Sequence, residues 1–130
     1  MSLEIKVQER EPGVYLITPV GEINTDTALD FEKTSREFLP KAKAFVFDLE
    51  RMTYISSMGL SSFFRIKQSI EEKGGTILLV HVSAQVQKVF DVVKIFSEAM
   101  MASLEQADEH LDSFLDDVQK GKIEPKSSSA

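Results

Sequence analysis

Two adjacent serines, Ser56 and Ser57, stand where an apolar segment gives way to a helical pattern, in the run Ser-Ser-Met-Gly. The first N–H groups of a helix have no partners within the helix, and the helix dipole makes that end partly positive, so a phosphate is well accommodated there. A serine at this point can therefore be a phosphorylation switch. The alternative is that both serines only cap the helix and that Gly59 lets the helix approach the sheet. Local spacing does not separate these two interpretations.

The other reactive side chains form no catalytic or metal-binding pattern in the sequence. The chain has no cysteine, which excludes disulfides, thiolate metal sites and a cysteine nucleophile. His81 and His110 are too far apart for helical or strand spacing to make them a ligand pair. Asp48 and Glu50 form a carboxylate pair, but no histidine, cysteine or basic residue accompanies them, so we expect no acid–base dyad. The sequence predicts no enzyme, no metal site and no cofactor.

The composition is that of one acidic globular domain. The chain has 130 residues, of which 42% are hydrophobic and 28% charged, and its formal net charge is −6. It lacks the clustered Lys and Arg that bind the nucleic-acid backbone, so we expect no nucleic-acid partner. The start, 1–10, mixes acids with bases, and no apolar run approaches the length of a membrane span. We therefore expect a cytoplasmic protein with no membrane partner.

Strand patterns open the chain and recur twice further on. Apolar and polar residues alternate over 3–7, a turn follows at 11–13, and 14–18 is rich in β-branched and aromatic residues. Together these features predict an antiparallel hairpin. The continuous apolar runs 44–49 and 76–80 predict strands that are buried on both faces of a sheet.

Helical spacing predicts three helices between and after these strands, with apolar residues over 28–39, 60–70 and 86–93. Asn24, Thr25 or Asp26 can cap the first helix, and Pro40 ends it. The glycine pair 74–75 ends the second helix, and Ser83 caps the third. Because helices alternate with strands after the hairpin, we expect those strands to pair in parallel.

The C-terminal part of the chain is strongly acidic, with no Lys or Arg between Lys94 and Lys120. Apolar residues over 104–118 keep helical spacing, so the pattern predicts an amphipathic acidic helix that ends near Gly121. Its acidic side is either a solvated outer face or a contact for a basic partner or a second copy. We expect one domain over 1–120 and a flexible tail over 121–130.

The order of these motifs resembles the STAS domain of bacterial anti-sigma factor antagonists. The motifs that carry the resemblance are Gly21-Glu22-Ile23-Asn24, Phe47-Asp48-Leu49, 54–60, Gly74-Gly75-Thr76 and 83–90. They occur in the order that the family shows, over about residues 3 to 120. The resemblance implies an α/β fold, in which an antiparallel hairpin opens a mixed β-sheet and the helices pack chiefly on one side.

The resemblance also implies a function and a site. In that family a serine is phosphorylated by a partner kinase that is itself the anti-sigma factor, and this serine maps onto Ser57. Ser56 stands where the family has an aspartate, Met58 stands where a second serine or threonine is usual, and Asn24 replaces an acid. The implied partner-binding residues are Glu22, Asn24, Ser56, Ser57, Met58 and Gly59.

These implications give two functional hypotheses. The first is an anti-sigma factor antagonist that binds an anti-sigma factor serine kinase and frees a sigma factor, with a serine phosphatase as a further partner. The second is a STAS module that is not phosphorylated and acts as a scaffold or binds a small ligand, such as a nucleotide or a lipid. The missing aspartate favours the second hypothesis.

Overall fold

Strands and helices alternate through residues 3–95 and 109–121, which are the part of the chain that the computed structural model describes. The strands are β1 (Leu3–Glu11), β2 (Val14–Ile23), β3 (Ala44–Asp48), β4 (Met52–Ile55) and β5 (Thr76–Val80). The α-helices are α1 (Ala28–Glu37), α2 (Ser57–Glu72), α3 (Ala84–Ile95) and α4 (Glu109–Gln119). None of these described helices is long and apolar enough to cross a membrane.

One mixed sheet organises the fold around β2. β1 pairs with β2 in antiparallel register, with Leu3 opposite Gly21 and Val7 opposite Ile17. The other edge of β2 is shared, because 14–17 pairs in parallel with β3 while 21–23 pairs in parallel with β4. β5 pairs in parallel with β3, which gives the order β1-β2-β3-β5. The predicted mixed sheet opened by an antiparallel hairpin is confirmed.

The hydrophobic core lies between one face of this sheet and the helices. Phe47 of β3, Phe31 of α1 and Phe63 of α2 meet in this layer, with ring centroids 4.8–5.6 Å apart. Aromatic rings at these separations pack favourably, and they bring a large buried area. All three rings are at most 3% exposed, so they fix the positions of α1 and α2 over the strands.

The opposite face of the sheet is more open than the sequence suggests. Phe45 and Phe47 are fully buried, but Val46 between them is half-buried, and Leu78 of β5 is 55% exposed. The expectation that 44–49 and 76–80 are buried on both faces is therefore wrong. The reason is that the helices cover only one side of the sheet, so alternate side chains of each strand face away from the core.

The ends of the helices follow local signals, except in α1. α1 ends at Glu37, and Leu39–Lys41 forms a separate 3₁₀ turn that contains Pro40, so the helix does not reach residue 39. α2 begins at Ser57 and ends at Glu72, and Gly74 follows in the left-handed region at a φ of +85°. In α3 the predicted cap is confirmed, because Ser83 Oγ accepts a hydrogen bond from the N–H of Val86 at 3.2 Å.

Helix α4 confirms the predicted acidic helix over the residues that are described. Leu115 and Val118 are fully buried on its inner side, and the chain leaves the helix through Gly121 at a φ of +80°. Residues 104–108 of the predicted helix and residues 122–130 of the predicted tail lie outside the described residues.

Candidate functional site

The two serines of the sequence motif lie at the junction of β4 and α2. Ser56 is the N-cap of α2, and its Oγ accepts a hydrogen bond from the N–H of Gly59 at 3.2 Å. The N–H of Ser56 donates to the carbonyl oxygen of Ile23 at 2.9 Å, so the end of β2 holds this cap in place. The capping interpretation is confirmed for Ser56, while Ser57 is the first residue inside the helix.

Gly59 is required by the close approach of α2 to the sheet. A Cβ atom at this position would lie 2.7 Å from Ile23 Cγ2 and 2.9 Å from the carbonyl oxygen of Ile23. Such contacts are too short for any side chain, so only glycine lets the first turn of α2 rest against the end of β2. The interpretation that Gly59 permits this approach is confirmed.

Ser57 is fully buried, and a distant acidic side chain covers it. Its backbone N–H donates to Asp112 Oδ1 of α4 at 2.7 Å. Among the described residues, the Ser57 hydroxyl is a buried polar group that has no hydrogen-bond partner. A carboxylate at this point complements the free N–H groups and the positive end of the helix dipole. In this structure α4 itself supplies the anion that the start of α2 favours.

Helix α4 is fixed over this junction by a second polar contact, between Gln119 and Ile55. Gln119 Oε1 accepts from the N–H of Ile55 at 2.9 Å, and Gln119 Nε2 donates to the carbonyl oxygen of Ile55 at 2.9 Å. The side-chain amide thus pairs with the backbone of β4 as a neighbouring strand would. Because both groups are buried, leaving either one unpaired would be costly.

Acidic residues also surround Tyr54, the residue before Ile55. Its pKa is raised to about 12, first by burial and then by the nearby charges of Asp116, Asp112 and Glu22. The corner where β4 meets α2 is therefore an acidic environment, built from α4 on one side and the end of β2 on the other.

The loop from β2 to α1 forms the rim of the site. Glu22 lies opposite Tyr54 in the sheet register, and its Oε1 accepts a hydrogen bond from Asn24 Nδ2 at 3.2 Å. Asn24 Oδ1 accepts from the N–H groups of Asp26 and Thr27 at 2.9 and 3.0 Å, so Asn24 orders the turn that leads into α1. The N-cap of α1 is Thr27, without a side-chain capping hydrogen bond, so the prediction that Asn24, Thr25 or Asp26 caps this helix is wrong.

The residues implied by the family resemblance lie together at this corner. Glu22 is exposed, and Asn24 and Met58 are half-buried, so these three reach the surface. Ser56 and Ser57 are at most 3% exposed. The sequence did not predict the roles of Asp112 and Gln119, since only the amphipathic pattern of the acidic helix marked that segment.

A partly buried ion pair joins α2 to α1 next to this corner. Glu32 accepts hydrogen bonds from Arg65 Nη2 at 2.7 Å and from Arg36 Nε at 3.0 Å. Burial alone would raise the pKa of the Glu32 carboxyl, but the hydrogen bonds from Arg65 and Arg36 outweigh it and hold the pKa below its usual range. The pair holds α2 against α1.

A second group of polar residues lies at the carboxyl ends of β3 and β5. His81 Nδ1 lies 3.1 Å from Asp48 Oδ1, and ligand atoms of Asp48, Glu50 and His81 lie within 4.8 Å of one another. The expectation that no histidine accompanies the carboxylate pair is wrong, because parallel pairing of β3 with β5 brings the two strand ends together. The Glu50 and His81 side chains are exposed, and exposed acidic groups of this kind are common without a metal ion.

Comparisons with known proteins agree on the fold of the chain. The family profile described as STAS domain matches residues 5–107. No curated protein matches the sequence. Among solved structures, the anti-sigma factor antagonist SpoIIAA in its unphosphorylated form superposes with a TM-score of 0.61 at 15% identity, over 69% of this chain and 84% of that chain.

Two further solved structures have the same fold. The phosphorylated form of SpoIIAA, described as a Bacillus cell fate determinant, superposes with a TM-score of 0.59 at 16% identity, over 67% of this chain and 80% of that chain. Part of the murine anion transporter Slc26a9 superposes with a TM-score of 0.59 at 16% identity, over 77% of this chain and 19% of the transporter. At these identities the comparisons show a shared fold.

Proposed function

The chain belongs to the STAS domain family, and we propose that it is an anti-sigma factor antagonist whose partner binding is switched by phosphorylation of Ser57. It binds an anti-sigma factor serine kinase in the cytoplasm and so frees a sigma factor, and a serine phosphatase resets it. The chain is not itself an enzyme in this proposal. Its fold is shared with SpoIIAA, which is described as an anti-sigma factor antagonist and is known in a phosphorylated form.

The observation that supports this function is the convergence of the motif residues on one corner. The end of β2 holds the Ser56 cap through Ile23, and it carries Glu22 and Asn24 at the rim. A partner that contacts this rim also contacts the first turn of α2, where Ser57 lies. Binding and modification would therefore share one surface.

The charges at the corner explain how a phosphate would switch binding. Phosphorylation replaces a neutral hydroxyl with about −1.5 to −2 charges and three acceptor oxygens. Glu22 stands nearby on the β2 side, and Asp112 already lies on the N–H of Ser57. A partner that docks on the unmodified corner would meet like charge and a desolvation cost after modification, so the complex would dissociate.

A binding measurement tests this proposal. The unmodified chain and a chain with phosphoserine at position 57, installed by amber-codon suppression, are titrated against each serine kinase of the host that resembles a histidine kinase. We expect one kinase to bind the unmodified chain and to bind the phosphorylated chain at least about 100-fold more weakly, which corresponds to about 3 kcal/mol. Equal affinity of that kinase for both forms would contradict the switch.

A second candidate function is a STAS module that is never phosphorylated and serves as a scaffold or binds a small ligand, such as a nucleotide or a lipid. The full burial of Ser57 favours it, as does the absence of an aspartate before that serine. If no host kinase binds the unmodified chain or transfers phosphate to it, this second function replaces the first.

A further inference from the structure

Helix α4 covers the site that the proposed function uses. We propose that α4 is an autoinhibitory lid, which masks Ser57 and the start of α2 and must leave before a kinase modifies Ser57 or a partner docks there. This inference rests on the proposed function in one respect, since it takes Ser57 as the phosphate acceptor. The lid itself is a property of the fold that is measurable without any partner.

A kinase needs access to the Ser57 hydroxyl, which the closed chain does not offer. In phosphoryl transfer the Ser57 Oγ attacks the γ-phosphorus of ATP, the bond from that phosphorus to the bridging oxygen breaks, ADP leaves, and the hydroxyl proton passes to a base of the kinase. The attacking oxygen must therefore lie in line with the phosphate. Ser57 has no exposed surface when α4 is docked, so the closed chain is not a substrate.

The Asp112 carboxylate and a phosphate on Ser57 would compete for the same backbone N–H group. Asp112 Oδ1 lies 2.7 Å from the Ser57 nitrogen, at the place where a phosphate on this serine would find its nearest backbone donor. A phosphate and the Asp112 carboxylate would repel each other in a buried space, with the charge of Asp116 also close to Tyr54. Phosphorylation of Ser57 and docking of α4 therefore exclude each other.

Helix α4 is attached in a way that allows it to open. The described part of the helix, 109–119, packs mainly on α3 and makes fewer contacts with α2. It is held by its buried Leu115 and Val118, by Gln119 on Ile55 and by Asp112 on Ser57. Local openings cost less free energy than global unfolding, so a helix that meets this corner through the Asp112 and Gln119 contacts can leave it while the core stays folded, as a lid requires.

The closed lid is tested by thiol labelling, because the chain has no cysteine of its own. Single variants Ser57→Cys, Leu29→Cys and Ser35→Cys are reacted with N-ethylmaleimide. Leu29 is 69% exposed and marks free access, while Ser35 is fully buried in α1 and marks opening of the core. We expect the Ser57→Cys thiol to react at least about 100-fold more slowly than the Leu29→Cys thiol, since it is labelled only when α4 opens.

A second substitution then opens the lid without touching the thiol. Gln119→Ala removes the paired hydrogen bonds to Ile55, and we expect it to speed labelling of the Ser57→Cys thiol about tenfold. The Ser35→Cys thiol should keep its rate. The lid is refuted if the Ser57→Cys thiol reacts as fast as the Leu29→Cys thiol, if Gln119→Ala leaves its rate unchanged, or if Gln119→Ala speeds the Ser35→Cys thiol equally.

Mutual exclusion is tested by hydrogen exchange on the chain that carries phosphoserine at position 57. We expect the amides of 109–119 to exchange about tenfold faster than in the unmodified chain, while the amides of β3 keep their protection. Unchanged protection of 109–119 would overturn the exclusion. If these readouts support the lid but no host kinase modifies either the wild-type or the Gln119→Ala chain, then the proposed function fails and the lid stands.

Discussion

The starts of α2 and α3 are built from the same local device but have different surroundings. In each, a serine N-cap accepts a hydrogen bond from the N–H three residues later, at 3.2 Å for Ser56 to Gly59 and at 3.2 Å for Ser83 to Val86. The residues after the α3 cap, Ala84 and Gln85, are exposed. The residue after the α2 cap, Ser57, is fully buried and bound by a carboxylate 55 positions away.

This difference shows that a serine cap by itself does not indicate a regulatory site. A serine cap satisfies a backbone donor wherever a helix begins, so it carries no information about function. The start of α2 differs because segments distant in sequence pack on it, namely the end of β2 and the acidic helix α4. The regulatory potential of the corner therefore comes from tertiary contacts, and the serine motif only marks where they converge.

The largest effect is expected from the position that lets α2 approach β2. Gly59→Ala places a methyl group 2.7 Å from Ile23 Cγ2, and we expect it to lower the free energy of unfolding by about 3 kcal/mol. Urea unfolding followed by circular dichroism measures this change. Met58→Ala, at the half-buried neighbour, is the control and should cost about 1 kcal/mol or less. Equal losses for the two substitutions would show that α2 does not approach β2 closely at Gly59.

The next largest effect is expected at Asp112, whose carboxylate binds the start of α2 and has no counterpart described at the start of α3. Asp112→Ala removes a charge-assisted hydrogen bond to the Ser57 N–H, and we expect a loss of about 1.5–2 kcal/mol in unfolding free energy. Asp117→Ala on the same helix removes a carboxylate near the exposed Lys120 and should cost at most about 0.5 kcal/mol. If both substitutions cost the same small amount, Asp112 does not stabilise the start of α2.

A smaller effect compares the two caps directly. Ser56→Ala and Ser83→Ala each remove one capping hydrogen bond, and we expect each to lower the unfolding free energy by about 1 kcal/mol. Thermal unfolding of both variants measures this. Similar losses would support the view that the caps are equivalent and that the difference lies in α4, whereas a much larger loss for Ser56→Ala would place the difference in the cap itself.

The last contrast is a pH dependence at the α2 corner that comes from Tyr54. The pKa of Tyr54 is about 12 in the folded chain, which is above its ordinary value of 10.0. Between these pH values the unfolded chain loses the Tyr54 proton while the folded chain keeps it, so stability present below pH 10 is lost as the pH rises toward 12. In Tyr54→Phe this fall should be shallower. An identical pH profile for the two chains would show that Tyr54 titrates normally.

Local patterns predicted much of the fold, and contacts between distant residues account for what they missed. The serine caps, the buried helix faces around Phe31 and Phe63, and the mixed sheet with its antiparallel opening hairpin follow from residue types and spacing. The contacts of Asp112 with Ser57 and of Gln119 with Ile55 join residues 55 and 64 positions apart, and no periodicity encodes such a separation.

Two further features that the sequence patterns did not predict have separate physical causes. The four residues of β4 are too few to show a strand pattern, and they become a strand because the end of β2 offers a free edge. His81 joins Asp48 because β3 and β5 pair in parallel, which two short apolar runs suggest without fixing the register. In both cases the sheet determines the contact.

The most direct test of the account is intact-mass spectrometry of the chain after incubation with ATP and the serine kinases of its host, in the wild-type and Gln119→Ala forms. The account predicts a single phosphate that maps to Ser57, is absent in Ser57→Ala, and forms about tenfold faster when Gln119→Ala opens the lid. A phosphate on Ser56, or no phosphate on either form with any host kinase, would contradict it.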